Sequence, residues 1–349
     1  MIRVLICDDS ALVRGVLGRL LGQDPLIRVV GAAANGEEAL AALAAAGPER
    51  MPHVVLLDLE MPVMDGMTAL PLLLRHRPQP AVIVASALTQ QGAAATMAAL
   101  RAGAVDYIAK PVAERGGIHD PAFRAELLAK VKGWARLGRP EAASVRPRRP
   151  AVAMAARPPR VLAIAASTGG PQALAAFIRR LPPRLPVPVL VVQHMPAGFT
   201  AMLAQHLGGL GALPAAEARE GEAVLPGRIY IAPGDRHMLL RGPAERATVL
   251  LTRDPPVHFC RPAADPLFAS LPPIYADAVL AVVLTGMGQD GQAGAAAITA
   301  AGGVVFAQDE ATSVVWGMPG AVVRAGHARL QGPPELLAEE AVAMLRVPA

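Results

Sequence analysis

Through residues 1–138, short apolar runs alternate with segments whose apolar positions recur every three or four residues. Ile2–Cys7, Ile27–Gly31, Val54–Asp58, Ala81–Ser86 and Val105–Ile108 read as strands. Ala11–Leu21, Gly36–Ala46, Thr68–Arg75, Gln91–Ala102 and His119–Leu137 read as helices. Five strand–helix units in succession predict one doubly wound, five-stranded parallel sheet.

The alternation breaks at residues 139–160, which hold five prolines and no apolar period. Proline removes backbone donors and bars the helical region to its predecessor, so this stretch is expected to be an extended, semi-rigid linker. Beyond it the pattern resumes. Val161–Ala166, Val187–Val192, Ala278–Leu284 and Gly303–Ala307 read as strands. Gln172–Arg180, Thr200–Leu207, Gly291–Ala301 and Pro334–Leu345 read as helices. The Gly/Pro-rich middle, Arg228–Arg241 with Thr248–Leu251, reads as a β-hairpin. The expected organisation is an α/β domain over 1–138, a linker over 139–159, and a second, mainly parallel doubly wound α/β domain over 160–349 with an antiparallel insertion.

Composition changes this picture in three ways. Of 349 residues, 53% are apolar and 17% charged, which excludes global disorder. The net charge of +5 hints at nucleic acid, but the segments 1–138, 139–160 and 161–349 carry +1, +5 and −1. The whole excess equals that of the linker stretch, so neither domain is basic and no nucleic-acid partner is expected. Cys7 and Cys260 lack metal-type spacing and suit a reducing cytoplasm. The start of the chain turns acidic at once, unlike a signal peptide, and no run approaches the roughly 18 apolar residues of a membrane span.

In the first domain, strand one ends at Asp8-Asp9 and strand three at Asp58. Both ends fall on one edge of a parallel sheet, where ligands bind. Three converging carboxylates repel one another, and a hard divalent cation is the natural compensation. Such a site can accept a phosphoryl group on a carboxylate. Lys110, one of only three lysines, follows strand five at the same edge, and Ser86 ends strand four. A single strand-end Asp is more often a turn or cap; the joint pattern argues for a site.

Residues 1–125 resemble the receiver domain of two-component response regulators, a flavodoxin-like fold. The resemblance rests on Cys-Asp8-Asp9-Ser10, Asp58-Leu-Glu-Met-Pro62-Val-Met-Asp65-Gly66, Ser86-Ala-Leu-Thr89 and Tyr107-Ile-Ala-Lys110-Pro111. It implies that Asp58 accepts the phosphoryl group. It also implies Mg²⁺ held by Asp8, Asp9, Asp58 and the Glu60 backbone carbonyl, and a switch built from Ser86, Tyr107 and Lys110. Alone, Tyr107 reads as a core-edge aromatic.

In the second domain, Ser167-Thr168-Gly169-Gly170-Pro171 forms a strand-to-helix turn. A phosphate cradle, a nucleophile elbow and a simple helix cap all remain open there. His194 stands beyond the next strand, and Asp290 beyond the strand Ala278–Leu284. Three strand ends of one sheet therefore offer Ser, His and Asp, the parts of a proton relay. Each alone has an ordinary structural reading.

This domain resembles the catalytic domain of the chemotaxis protein-glutamate methylesterases, the CheB family, over nearly all of 160–345. The carriers are Ser-Thr-Gly-Gly, Gln-His-Met-Pro, Leu-Pro-Gly-Arg-Ile-Tyr-Ile-Ala-Pro-Gly-Asp235, Leu-Thr-Gly-Met287-Gly-Gln-Asp290-Gly and Gly317-Met-Pro319. The resemblance implies Ser167 as nucleophile, His194 as general base, Asp290 as its orienter and the Met287 N–H as oxyanion donor. Thr168 and Gly169 lie beside the site, and Arg261 lines the substrate cleft. It further implies hydrolysis of glutamate methyl esters and deamidation of glutamines on methyl-accepting chemotaxis receptors. A CheA-type histidine kinase would be the phosphodonor, and phosphorylation would relieve occlusion of the cleft by the receiver. No cofactor is expected in the catalytic domain, and the protein is expected to be a monomer. Ala165, Cys260 and Ala263 depart from the family pattern, and Cys260 reads as a small packing residue. A phosphorylation-switched binding protein with a vestigial site is the second reading. A DNA-binding regulator is the third, without any helix-turn-helix pattern to support it.

Overall fold

The structure is a computed structural model and describes residues 1–87, 89–110, 120–138, 157–211 and 213–345. Pro111 and linker residues 139–156 lie outside the described residues. The chain forms two compact units, Met1–Ala143 and Ser144–Ala349.

In the first unit, β1 (Ile2–Cys7), α1 (Ala11–Gly22), β2 (Ile27–Ala33), α2 (Gly36–Ala44), β3 (Val54–Asp58), α3 (Gly66–Leu73), β4 (Ala81–Ser86), α4 (Gln90–Arg101), β5 (Asp106–Ala109) and α5 (Pro121–Leu137) alternate strictly. The sheet order is β2-β1-β3-β4-β5 and every pairing is parallel. One face of the sheet buries Val4, Ile6, Leu56 and Ile83 against Leu17 and Leu21 of α1 and Phe123, Leu127 and Val131 of α5. Each such side chain contributes about 1.5–3 kcal/mol when fully buried. All five helices start on a polar cap, namely Ser10, Asn35, Asp65, Thr89 and Asp120, whose side chain accepts a first-turn N–H. Asp65 explains why α3 begins two residues before the apolar period suggests.

The second unit runs β6 (Val161–Ala166), α6 (Gly170–Ile178), β7 (Val189–Gln193), α7 (Phe199–Leu210), β8 (Ala215–Glu217), β9 (Ile229–Ile231), β10 (His237–Arg241), β11 (Thr248–Thr252), α8 (Ala264–Ser270), α9 (Pro272–Tyr275), β12 (Val279–Val283), α10 (Gln292–Ala300), β13 (Val304–Gln308), α11 (Met318–Arg324), β14 (Leu330–Gly332) and α12 (Pro334–Met344). Seven strands form one parallel sheet in the order β14-β13-β12-β6-β7-β9-β8. The chain builds outward from β6 on one side and then returns to lay β12 on the other. β6 therefore sits at the switch in strand order, where a crevice opens beyond the carboxyl ends.

The expected hairpin is only partly correct. β10 and β11 pair antiparallel, but Ile229–Ile231 is a parallel strand beside β7. All three of its residues are buried, which suits the interior of a covered parallel sheet. β8 and β14 are three residues long, too short to show a period. The β10–β11 pair inserts Met238, Leu240 and Val249 into the core that also holds Leu267 and Phe268 of α8. This packing sets α8 against β10 and α10. Among the described residues, no helix is long and apolar enough to cross a membrane.

Candidate active site

At the carboxyl edge of the first sheet, β1 and β3 are neighbours although α1, β2 and α2 separate them in sequence. Asp8 and Asp58 are buried there and Asp9 is exposed; one ligand atom of each lies within 4.8 Å of the others. Lys110 reaches across from the end of β5. Its Nζ is 2.6 Å from Asp58 Oδ2 and 3.0 Å from Asp8 Oδ2. Backbone N–H groups of Ser10 and Glu60 donate to Asp8 Oδ1 (3.0 Å) and Asp58 Oδ1 (3.3 Å). Burial pushes the Asp58 carboxyl up, Lys110 opposes this, and the charge of Asp8 adds to it. Burial pushes the Lys110 ammonium down, but its bonds to Asp58 and Asp8 outweigh this and leave it raised. Three carboxylates against one ammonium, with Asp8 Oδ2 buried and lacking an aligned hydrogen bond, fit a hard divalent cation.

The remaining expected residues of this unit also fall near that edge. Ser86 closes β4 and donates its hydroxyl to Gly92 O at 2.9 Å, so it is tied to the start of α4. Tyr107 is buried in β5, with Lys130 Nζ 4.6 Å from its ring centre. The buried Lys130 also pairs with Glu126 (2.6 Å) and Asp106 (3.5 Å), joining α5 to β5. The scarcity of lysine was the only sequence signal for it.

In the second unit, the ends of β6, β7 and β12 lie side by side. Ser167 follows β6, and its backbone N–H donates to Thr285 O at 3.0 Å. His194 follows β7, and its N–H donates to Ala166 O at 3.1 Å. Gln193 secures both: its Nε2 donates to Ser167 O (2.9 Å) and His194 O (3.2 Å). Spacing alone did not reveal this bracing. The His194 Nε2 to Asp290 Oδ2 distance is 2.6 Å. Asp290 is 1% exposed and also accepts from the N–H groups of Ala264 (2.6 Å), Asp265 (3.0 Å) and Gly291 (3.0 Å). These bonds fix the carboxylate, which in turn fixes the ring.

Two glycines make the approach possible. Gly169 has φ +75°, and a Cβ there would meet Val314 Cγ2 at 2.3 Å. A Cβ on Gly286 would lie 2.8 Å from Ser167 Cβ. The loop that carries Met287 therefore lies directly on Ser167. Met287 itself is 39% exposed, while Thr168 is buried and its carbonyl accepts from Thr285 Oγ1 at 2.9 Å.

Burial lowers the basicity of His194, but its hydrogen bond to the Asp290 carboxylate outweighs this and leaves the imidazole raised. Burial opposes ionisation of Asp290, but His194 and the backbone N–H groups prevail and hold it below the usual range. Cys260 closes the turn that starts at Val257, with which it exchanges both backbone hydrogen bonds (3.1 and 2.9 Å). Arg261 donates to Asp235 (2.6 and 3.2 Å) and to the carbonyls of Arg253 (3.1 Å) and Asp254 (3.0 Å), stapling these loops. His258, Asp265 and Asp290 also lie close enough to share an ion. Their polar atoms are already engaged, Asp265 with Gly294 N–H (2.7 Å) and His258 (3.2 Å).

A receiver-like sheet with an acidic edge, followed by a sheet with a buried His–Asp pair beside a serine, defines a response regulator with a hydrolase-type effector unit. The family model for CheB methylesterase matches residues 162–341, and that for the response regulator receiver domain matches residues 4–119. A protein-glutamate methylesterase/protein-glutamine glutaminase of Azospirillum brasilense is 45% identical over 93% of this chain and 88% of its own. A second protein of that name, from Caulobacter vibrioides, is 48% identical over 93% of this chain and 94% of its own. The CheB methylesterase catalytic domain of Thermotoga maritima superposes with a TM-score of 0.52 at 40% identity, covering 53% of this chain and 98% of that one. The chain belongs to the CheB methylesterase family.

Proposed function

We propose that this protein hydrolyses glutamate γ-methyl esters, and deamidates glutamines, on methyl-accepting chemotaxis receptors in the cytoplasm. The observation that carries this reading is the 2.6 Å His194–Asp290 pair, held by three backbone N–H groups at the strand edge that Ser167 shares. Ser167 Oγ attacks the ester carbonyl as His194 takes its proton, and Asp290 steadies the imidazolium that forms. The Met287 N–H, on the loop against Ser167, stabilises the oxyanion. His194 then returns the proton to the departing methanol. Water resolves the acyl-enzyme by the same relay run in reverse. Thr168 and Gly169 shape the turn that presents Ser167, and Arg261 holds the neighbouring loops in place.

The receiver unit, residues 1–138, regulates this reaction. A CheA-type histidine kinase donates the phosphoryl group to Asp58. Asp8, Asp9, Asp58 and the Glu60 carbonyl hold Mg²⁺, which when bound neutralises charge on the phosphoryl oxygens. Lys110 pairs with the modified Asp58, and Ser86 and Tyr107 carry the change to α4 and β5. The segment 139–159 links this switch to the catalytic unit of 160–349, and the protein acts as a monomer.

Methanol release from a methylated receptor fragment tests the assignment. Ser167→Ala is expected to lower it at least about a thousandfold. Retention of activity by that variant refutes Ser167 as nucleophile. A wild-type protein inactive with and without phosphodonor refutes the function.

A further inference from the structure

Phe259 is fully exposed, at 102%, and no other large apolar residue among those described is as exposed. Its φ is +63° and that of His258 is +50°. Glycine or asparagine suits such a position, and a bulky aromatic is an outlier there. The turn is nevertheless firmly held. Val257 and Cys260 exchange both backbone hydrogen bonds (3.1 and 2.9 Å). His258 bonds to Asp265 at 3.2 Å, and Arg261 staples the following residue to Asp235. Strain of this kind persists where surrounding structure over-determines it, and it gathers at functional sites. The ring gains nothing from burial within the fold. The turn is tied to the carboxylate that holds His194: His258 bonds to Asp265, whose backbone N–H donates to Asp290 Oδ1 at 3.0 Å.

We infer that Phe259 is a docking residue for the protein substrate, packing on an apolar side chain beside the target glutamate. The inference rests on the proposed function. A polypeptide whose glutamyl side chain reaches Ser167 and His194 runs past the turn that His258 ties, through Asp265, to the carboxylate holding His194. An exposed, rigidly presented aromatic is the kind of group that anchors protein contacts. Met287, half-exposed on the loop against Ser167, offers a second apolar contact to such a polypeptide. The turn thus gives the enzyme a means to prefer protein esters over small ones.

The test compares full-length wild type, F259G and F259L on a methylated receptor fragment and on p-nitrophenyl acetate. Glycine suits the turn, so F259G is expected to fold, which thermal melting by circular dichroism checks. F259G is expected to lower the ratio of receptor to small-ester kcat/KM about tenfold, through a higher KM for the receptor, and F259L to restore most of it. An unchanged ratio overturns the inference and leaves the proposed function standing. A gain on both esters without phosphodonor overturns it in favour of a contact with the receiver unit. An equal loss on both overturns it in favour of a structural role. Wild type that cleaves only the small ester refutes the proposed function and the docking role together.

Discussion

Asp58 and Asp290 are both buried at the carboxyl edge of a parallel sheet, yet their surroundings drive them in opposite directions. Asp58 is raised by burial and shares its pocket with Asp8 and Asp9, with Lys110 as the ion-pair partner of Asp58 and Asp8. Asp290 is held low against burial by an imidazole and backbone N–H groups. The first pocket keeps an unbalanced negative charge, which suits a cation and a transferable group. The second spends its carboxylate wholly on orienting one ring. The helices differ in the same sense. α1–α5 each start on a polar side-chain cap, whereas α6–α12 have none. One architecture thus supports two chemistries, because strand ends set where groups converge and local partners set what those groups do.

The largest effect that bears on this contrast is expected from Asp290→Asn. It keeps the shape but loses the charge that steadies His194, and methanol release should fall about 10³–10⁴-fold. Near wild-type rates would mean that Asp290 is only a loop anchor. Next comes the opposite carboxylate. Asp58→Asn, or removal of Mg²⁺ with EDTA, should abolish the increment produced by a phosphodonor while unstimulated hydrolysis continues. A loss of unstimulated hydrolysis on EDTA treatment would place a metal in the catalytic unit instead. The smallest effect is on pH dependence. The relay needs neutral His194, whose pKa is raised, so kcat/KM should climb with pH beyond the ordinary imidazole range. A profile that levels off within the ordinary imidazole range would show that burial outweighs the bond to Asp290.

Much of this was legible in the chain. β1, β3, β4 and β6 begin and end where their apolar runs do. Asp8, Lys110, Ser167 and His194 stand directly after strands, Asp58 closes β3 and Asp290 lies in the loop after β12, which is why their convergence could be read from spacing. Ile229–Ile231 misled because a three-residue apolar run fits a hairpin as well as a parallel strand, and only its neighbour β7 decides. The bracing by Gln193 and the closure of Arg261 on Asp235 both join segments distant in sequence. No periodicity records such contacts.

The sequence by itself determined the two doubly wound units and the residues at the strand ends, because hydrophobic period and turn chemistry are local. It also bore the motifs that join the chain to its family. The tertiary structure alone decided strand order, and with it that β12 returns beside β6 to bring Asp290 to His194. It alone decided that one buried Asp is raised and another lowered. Both depend on through-space neighbours and on exclusion of water, which arise only once the chain has packed.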